Sequence, residues 1–536
     1  MSSAELDGTP YDSVIVGAGH NGLVCAAYLA QAGYRVAVVE RRDKVGGACV
    51  TDEFFPDYRF STASLVTSLF RQEIIEDLSL TKHGLEILRR DPSVTALFPD
   101  GRSLMLGEDE AATLAEIAKF SPRDAQVYAE YGETMHRLAR FVEPYLIGPS
   151  RTPLFNDPTA LRAALSAAAA LPDDDLRRLV TALFGSARDL LDEWFESPEL
   201  KVSLGTDGTI GVNAGPSMPG TAYLMLYHQM SATETGRPSW GQVKGGMGGI
   251  TQALAGACTE LGADILTGVS ATRIRVGDDG AEAVELSDGR VLRTRVVVSA
   301  ADPKTTFLRL LDADAVPVGY RNVIEGRDYE GVAAKIHLAL DRLPSVRGFD
   351  GEGRHLRGTL QILPDMDHLD RIHAEARLGL PPAQPQVECT IPTILDPGMA
   401  PPGKHVMCMY VQYVPYTLKG TTWDDIRESF ADSVLEYIEP YLPGLSDSVL
   451  HRKVLTPIDL ERDLALPGGH LYHGAMTPLD MFAGRPVPGY ADYHTPVPNL
   501  YLCAAGTRPG GSVFGVPGKN ASAVVRRHLE GDHVGE

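Results

Sequence analysis

Three glycines spaced two and three residues apart, Gly17, Gly19 and Gly22, can hold a diphosphate if the chain around them folds in one way. Before them stands an apolar run, Ser13-Val14-Ile15-Val16. After them comes a helical pattern, Leu23 to Ala30, and then Arg35-Val36-Ala37-Val38-Val39 ending in Glu40. The order is strand, glycine turn, helix, strand, acid, which is the first βαβ unit of a dinucleotide-binding fold. Gly17 permits the tight turn, Gly19 lets backbone approach a pyrophosphate, and Gly22 lets the helix pack on the strand. His20 and Asn21 stand where the helix opens, and its free N–H groups and positive dipole end face the phosphates. Glu40 can accept hydrogen bonds from a ribose hydroxyl pair. The motif alone carries little weight in a chain with 54 glycines; its flanks carry the argument.

The residues after Glu40 favour FAD over NAD. Arg41-Arg42-Asp43-Lys44-Val45-Gly46-Gly47 places a basic residue beside the acid and then a glycine pair. Gly46 and Gly47 would let a loop pass the pyrophosphate without Cβ clashes. An ordinary surface loop with a Gly-Gly turn is the plain alternative. A 2′-phosphate is disfavoured because Glu40 would repel it.

A second group of candidates lies near the C-terminus. Asn499 to Cys503 is an apolar strand, Ala504 to Ser512 a glycine-rich turn, and Gly515-Val516-Pro517-Gly518 opens a last helix. Helix N–H groups from Gly515 and Val516 would face the N1/C2 edge of a flavin, where negative charge gathers on reduction. Gly506 and Arg508 lie in the turn, and Arg508 could face that edge or an anionic substrate group; a surface arginine is the alternative. His473, in Gly468 to Met476, could donate or accept a proton, or be a histidine satisfied in a packed strand. No metal-ligand spacing exists. Cys49 follows Gly46-Gly47-Ala48, where flavin disulfide reductases keep a redox cysteine, but the partner position five residues on is Phe54. A dithiol mechanism is therefore excluded, and Cys49 reads as a small packed residue.

The elements that must position these groups form a mixed pattern. Asp52 to Leu69 is extended, and Asp109 to Phe141 and Pro158 to Phe195 are helical regions. Asp173 to Asp175 follow a break at Pro172 and could cap the next helix. Tyr223 to His228 is apolar and helix-compatible, either core or a substrate wall. Lys244 to Gly249 opens a helix that stops at Gly262; it is not read as a second nucleotide loop, because no strand precedes it. Strands follow at Asp264 to Leu266, Ala271 to Ile274, Ala283 to Leu286 and Val291 to Ala300, then at Lys335 to Leu340 and Lys404 to Val414, before an amphipathic helix from Thr422 to Leu442. The fold class is α/β: a Rossmann-like FAD-binding domain with an inserted α+β substrate domain.

At 536 residues the chain needs two or more domains. A net charge of −21 excludes nucleic acid as a partner, since phosphates would be repelled. No apolar run reaches the ~18 residues that span a bilayer. No Lys or Arg precedes Arg35, so no leader of the secretory, twin-arginine or transit kind is expected, and the reading is cytoplasmic. The six cysteines are spread out and expected to stay reduced.

Five blocks together resemble the phytoene-desaturase-like FAD oxidoreductases: the first βαβ unit with Glu40, GGMGGITQALA, VVVSAADP (Val296 to Pro303), GGHLYHGAM (Gly468 to Met476), and NLYLCAAGTRPGG followed by GVPGKNA. The resemblance implies the architecture shared by amine oxidases and phytoene desaturases. Its FAD domain would come from residues 10–75, 236–302 and 495–530, and its substrate domain from 76–235 and 303–494. It implies FAD contacts at Gly17, Gly19, Gly22, Glu40, Arg41, Gly47, Ala271, Gly506 and Val516, with Ala271 touching adenine through its backbone. It also implies desaturation, saturation or redox-assisted isomerisation of an apolar, unsaturated substrate by hydride transfer to flavin N5, with oxygen or a quinone as electron acceptor. Two alternatives stand beside this. One is a flavin amine oxidase, although the aromatic usual near the flavin is Val516 here. The other is a flavoprotein that works mainly by binding other proteins. Peripheral membrane contact and a homodimer stay open.

Overall fold

The computed structural model describes residues 9–148, 158–231 and 240–531. The boundary expected at 235/236 and the first eight residues lie outside them. Two seven-stranded sheets dominate the chain.

The first sheet runs Ala271–Gly277, Gly280–Leu286, Val291–Ser299, Tyr11–Val16, Val36–Val39 and Asp264–Leu266, with Leu500–Leu502 also paired to Val291–Ser299. Its centre is parallel: Val14 pairs Val297 and Ala37, and Val298 pairs Tyr501. These strands are continuous apolar runs because both faces are covered. Ile15, Val36, Val38, Val296 and Val298 pack under the helices His20–Gln31, Gly248–Glu260 and Val516–Leu529, while Val14, Ala37 and Val297 face the opposite core. The first and last helices approach closely at Gly518, where a Cβ would stand 2.2 Å from the Asn21 carbonyl oxygen.

The second sheet runs Val449–Leu455, Ala333–Leu340, His405–Gln412, Val387–Thr390, Thr359–Ile362, Val94–Leu97 and Ser103–Leu106. Alternation divides it cleanly. Ala334, Ile336, Leu338 and Leu340 join Trp423, Phe430 and Val434 of the helix Trp423–Ile438 in one core. Lys335, His337 and Ala339 lie on the other face. A helical layer with its own large core, containing Met135, Leu190, Tyr223 and Tyr227, completes this half.

Local details depart from the sequence reading. The region from Asp109 is two helices, Glu110–Ala118 and Pro122–Ile147, because Ser121 caps the second by accepting from the Asp124 N–H and Pro122 suits its first turn. Pro158 to Phe195 is three helices, Pro158–Ala169, Asp173–Phe184 and Ala187–Trp194. Asp173 to Asp175 do not cap: the cap position is Pro172, and the acids sit in the first turn, where the dipole favours them. A short strand, Gly241–Val243, does precede Lys244; it pairs antiparallel with Ile87–Arg89, apart from both large sheets. Among the described residues no helix is long and apolar enough to cross a membrane, and no group of three or more metal-ligating side chains is assembled.

Candidate functional site

At the C-terminal ends of the parallel strands a turn leads from Val16 into the helix His20–Gln31. Gly17 sits at φ +101°, which an L side chain rarely adopts, and so the turn needs glycine there. A Cβ on Gly22 would stand 2.2 Å from the Gly17 oxygen and 2.8 Å from the Ala300 Cβ, so this glycine brings helix and strand together. A Cβ on Gly19 would meet nothing within 4 Å. Gly19 therefore faces open space, which backbone can share with a close-lying anion.

That space is one end of a cavity of about 460 Å³. Its wall includes Gly17, Gly19, His20, Asn21, Gly22, Glu40, Arg41, Gly47, Ala271 and His473, so ten of the residues singled out in the sequence meet there. Glu40, at the end of Val36–Val39, is buried; its carboxylate accepts from the Ala18 N–H at 2.9 Å and the Arg42 N–H at 2.9 Å. Arg41 donates to the Asp463 carbonyl at 2.6 Å and ties that segment across the opening. The His20 Nε2 and Asn21 Oδ1 are buried without partners. An open glycine turn, a helix N-terminus, an acid at the second strand's end and two unpartnered polar atoms fit a dinucleotide diphosphate.

The other singled-out residues stand off the cavity wall. Gly46 bridges Gly19 from behind it. Gly506 lies against Pro303, where a Cβ would stand 2.3 Å from its ring, and Gly515 lies against Ile74 and Phe70. Val516 is buried in the core of the helical layer. The N-terminus of the last helix is thus packed by side chains, and Ser512 and Val513 of the preceding turn reach the cavity instead. Arg508 is 1 % exposed, and its guanidinium donates to the Tyr145 and Gly148 carbonyls at 3.4 and 3.0 Å. It satisfies the end of the helix Pro122–Ile147 rather than facing the cavity. His473 does face it, with an unpartnered Nδ1. Burial, helped by Arg485 and His20, pulls its pKa down to about 3, so its imidazole is neutral at physiological pH.

Cys49 is on the wall, but its thiol donates to the Met247 carbonyl at 3.2 Å and burial pushes its pKa up to about 12. Phe54, in the position of a redox partner, packs on Phe60 and His337 at ring distances of 5.7 and 5.4 Å. All six cysteines are free and buried. None of Lys244 to Gly249 reaches the cavity; Gly248 donates instead to the Thr51 hydroxyl at 2.9 Å.

Beyond the glycine turn the cavity widens between the second sheet and the helical layer. Val94, Leu106, Leu204, Ile210 and Met225 give it apolar walls. From Tyr223 to His228 only Met225 and His228 reach it, and the rest is core. One side is polar, which the sequence reading missed. Lys335 pairs with Tyr410, Tyr410 with Glu388, and Glu388 with Gln361, so four polar side chains form one row across four adjacent strands. All four line the cavity, and Asp207 lines it too, from the turn Thr206–Gly208. Ser203 donates to the Gln361 carbonyl oxygen at 2.9 Å and Gln361 donates to the Thr206 hydroxyl at 3.1 Å, fixing that turn to the row. Burial raises Asp207 to about 7, and burial together with the Asp207 charge raises Glu388 to about 7. Burial lowers Lys335 to about 7. The signal in the sequence is slight: Lys335 shares its strand face with Ala333, His337 and Ala339, and register alone joins it to Glu388.

The family model described as flavin containing amine oxidoreductase matches residues 22–518. A curated mouse relative, pyridine nucleotide-disulfide oxidoreductase domain-containing protein 2, is 40 % identical over 545 residues, covering 97 % of this chain and 94 % of that protein. Prolycopene isomerase 2, chloroplastic, of an Oncidium hybrid cultivar is 25 % identical over 482 residues, covering 86 % and 74 %. Among solved structures, cyclohexylamine oxidase from Brevibacterium oxydans superposes with a TM-score of 0.57 at 17 % identity, covering 97 % of this chain and all of that one.

Proposed function

The chain belongs to the family of flavin containing amine oxidoreductases and is an FAD-dependent oxidoreductase, and on that premise we propose that it desaturates, saturates or isomerises an unsaturated substrate with an apolar body. The observation that carries this reading is the single cavity joining the glycine turn to an apolar chamber. Gly17, Gly19 and the helix from His20 would hold the FAD diphosphate, Glu40 a ribose, and the Ala271 backbone the adenine. When bound, the flavin exchanges a hydride with a substrate carbon, and oxygen or a quinone takes the electrons onward. The chain's own part is to seat the carbon skeleton against Val94, Leu106, Ile210 and Met225, out of water. Neutral His473 can accept a hydrogen bond at the junction of turn and chamber.

The same division supports an FAD-binding part from residues 10–75, 236–302 and 495–530, which holds every strand of the first sheet, and a substrate part from 76–235 and 303–494, which holds every strand of the second; the short pair Gly241–Val243 with Ile87–Arg89 links the two. The likeness to a prolycopene isomerase agrees with an unsaturated substrate. The test is to mix the yellow protein with a panel of cyclic monoterpenes and polyenes under air and with a quinone, following product and peroxide. Conversion of an unsaturated hydrocarbon supports the reading; turnover of amines alone overturns it.

A second reading rests on Asp207 and Glu388. Two carboxyl groups in one chamber could receive an ammonium group, as an amine oxidase requires. An amine panel with peroxide detection separates the two readings.

A further inference from the structure

Arg485 is 1 % exposed, and among the described residues no carboxylate lies within ion-pair distance of it. Asp480, the acid whose charge reaches it, is paired instead with Arg327 at 2.9 Å. Its donors go to backbone oxygens alone. Nε donates to the Ala505 carbonyl at 2.8 Å, and Nη1 to Ala475 at 2.8 Å and Gly474 at 3.3 Å. Nη2 donates to Tyr472, to His473 at 3.0 Å and to Gly474 at 3.2 Å. His473 and Gly474 stand at φ +55° and +105°, so successive carbonyls turn inwards. A β-carbon disfavours that conformation at His473, and it persists because one guanidinium gathers the oxygens. Neutral donors could also close a loop. A buried cation without a counter-charge is costly, so the charge itself calls for a role.

The loop that Arg485 holds runs from one end of the cavity to the other. His473 feels His20 of the glycine turn, and Tyr472 feels Glu388 and Asp207 of the chamber. Tyr472, His473 and Ala505 all line the cavity, with Arg485 one backbone layer behind them. A ring joined to a diphosphate at the glycine turn and reacting in the chamber must pass this wall. The first turn of the last helix is packed by Ile74, Phe70 and a core, and Arg508 is turned to a helix end. Neither supplies charge here.

We infer that Arg485 is a positioning residue whose unpaired charge, set behind the Tyr472–Ala475 loop, favours the reduced state of the flavin. The inference rests on the FAD and not on the substrate proposed above. Hydride transfer leaves the cofactor one negative charge richer, and a fixed positive charge in a dry site offsets it without reorganising. Arg485 makes and breaks no bond. The carbonyls spread its charge without cancelling it, because a peptide unit is a dipole and has no net charge. Burial pulls its pKa down to about 10, so it stays charged at neutral pH. Its reach is visible in its neighbours: burial first, and then the Arg485 charge, pulls both His470 and His473 down to about 3. Both imidazoles are therefore neutral at pH 7, and Arg485 is the cation of this wall.

The test compares the midpoint potential of the bound flavin in the wild type, Arg485→Gln and Arg485→Lys, by reductive titration at pH 7 against reference dyes. Glutamine keeps hydrogen-bond donors without charge, and lysine keeps the charge without the planar fork. In Arg485→Gln the ratio of reduced to oxidised flavin at a fixed potential should fall at least about tenfold, which is about 30 mV for a two-electron couple. The affinity of the oxidised protein for sulfite, followed by loss of flavin absorbance, should weaken alongside it. Arg485→Lys should stay within about threefold of the wild type on both measures. An unchanged potential in Arg485→Gln overturns the inference. So does an equal fall in both variants, which would assign the effect to loop shape. Where a variant loses its flavin, the wild type decides alone: its potential should lie above that of free FAD, and a value below it overturns the inference.

Discussion

The two ends of the cavity are built on opposite principles. The glycine turn is made almost wholly of backbone from one short stretch, Gly17 to Gly22, closed by one acid at Glu40. The chamber is made of side chains from distant strands: Lys335, Gln361, Glu388 and Tyr410 meet only because four strands are in register. The first end has no room for a side chain at Gly22 and keeps the space at Gly19 open, since its function is close approach. The second tolerates changes of shape but is sensitive to charge, since its groups are desolvated and share no ion pair. Chemistry that is common to many proteins can be written locally, whereas chemistry that selects a substrate is assembled across the fold.

Substitutions can break this contrast in order of size. Gly22→Val should have the largest effect. Its side chain would have to enter space held by the Gly17 oxygen and the Ala300 Cβ, so bound flavin should fall at least about tenfold and stability by roughly 3 kcal/mol or more, read by absorbance and denaturant unfolding.

Lys335→Met and Glu388→Gln should instead stabilise the protein, at opposite ends of the pH scale. The native Lys335 amine, lowered to about 7, has lost its proton over a range where the unfolded amine keeps one, so wild-type stability rises from pH 7 towards 10 and the cost is full below 7. Lys335→Met should therefore gain about 3 kcal/mol at pH 6 and less at pH 10. The native Glu388 carboxyl, raised to about 7, keeps a proton that the unfolded one loses, so stability falls as pH climbs from 4.5 to 7. Glu388→Gln should gain about 2 kcal/mol at pH 8 and nothing at pH 4. Thermal unfolding across pH 4 to 10 checks both, and equal gains at all pH values would contradict the account.

Arg508→Gln should cost about 1.5 kcal/mol, because two bonds to the end of the long helix are lost while a buried charge is relieved. Flavin affinity should change less than about twofold, which separates a structural guanidinium from one facing the cofactor. Cys49→Ala should do least: under about 1 kcal/mol in stability and no loss of flavin reduction, since its thiol is protonated and its would-be partner is Phe54.

Legibility followed the same divide. The first strand, helix and second strand lie where the local pattern predicts them, and Glu40 stands at the cavity wall. The last strand and helix are also present, yet Gly506, Gly515, Val516 and Arg508 are turned into packing, because the closing helix must seat Gly518 against Asn21 and Val516 in a core. Sequence tells that a helix begins there but not what its first turn meets. The strand Gly241–Val243 escaped notice because three residues are too few for a periodicity, and its partner, Ile87–Arg89, lies far earlier in the chain.

By itself the order of residues determined the βαβ unit, the glycines of its turn and the α/β class, because those depend on φ, on Cβ volume and on alternation between neighbours in the chain. Only the tertiary structure decided the chamber. Whether Lys335 is an ordinary surface cation or a buried amine depends on which strands lie beside it and how much water they exclude, and desolvation is a property of packing rather than of any one segment.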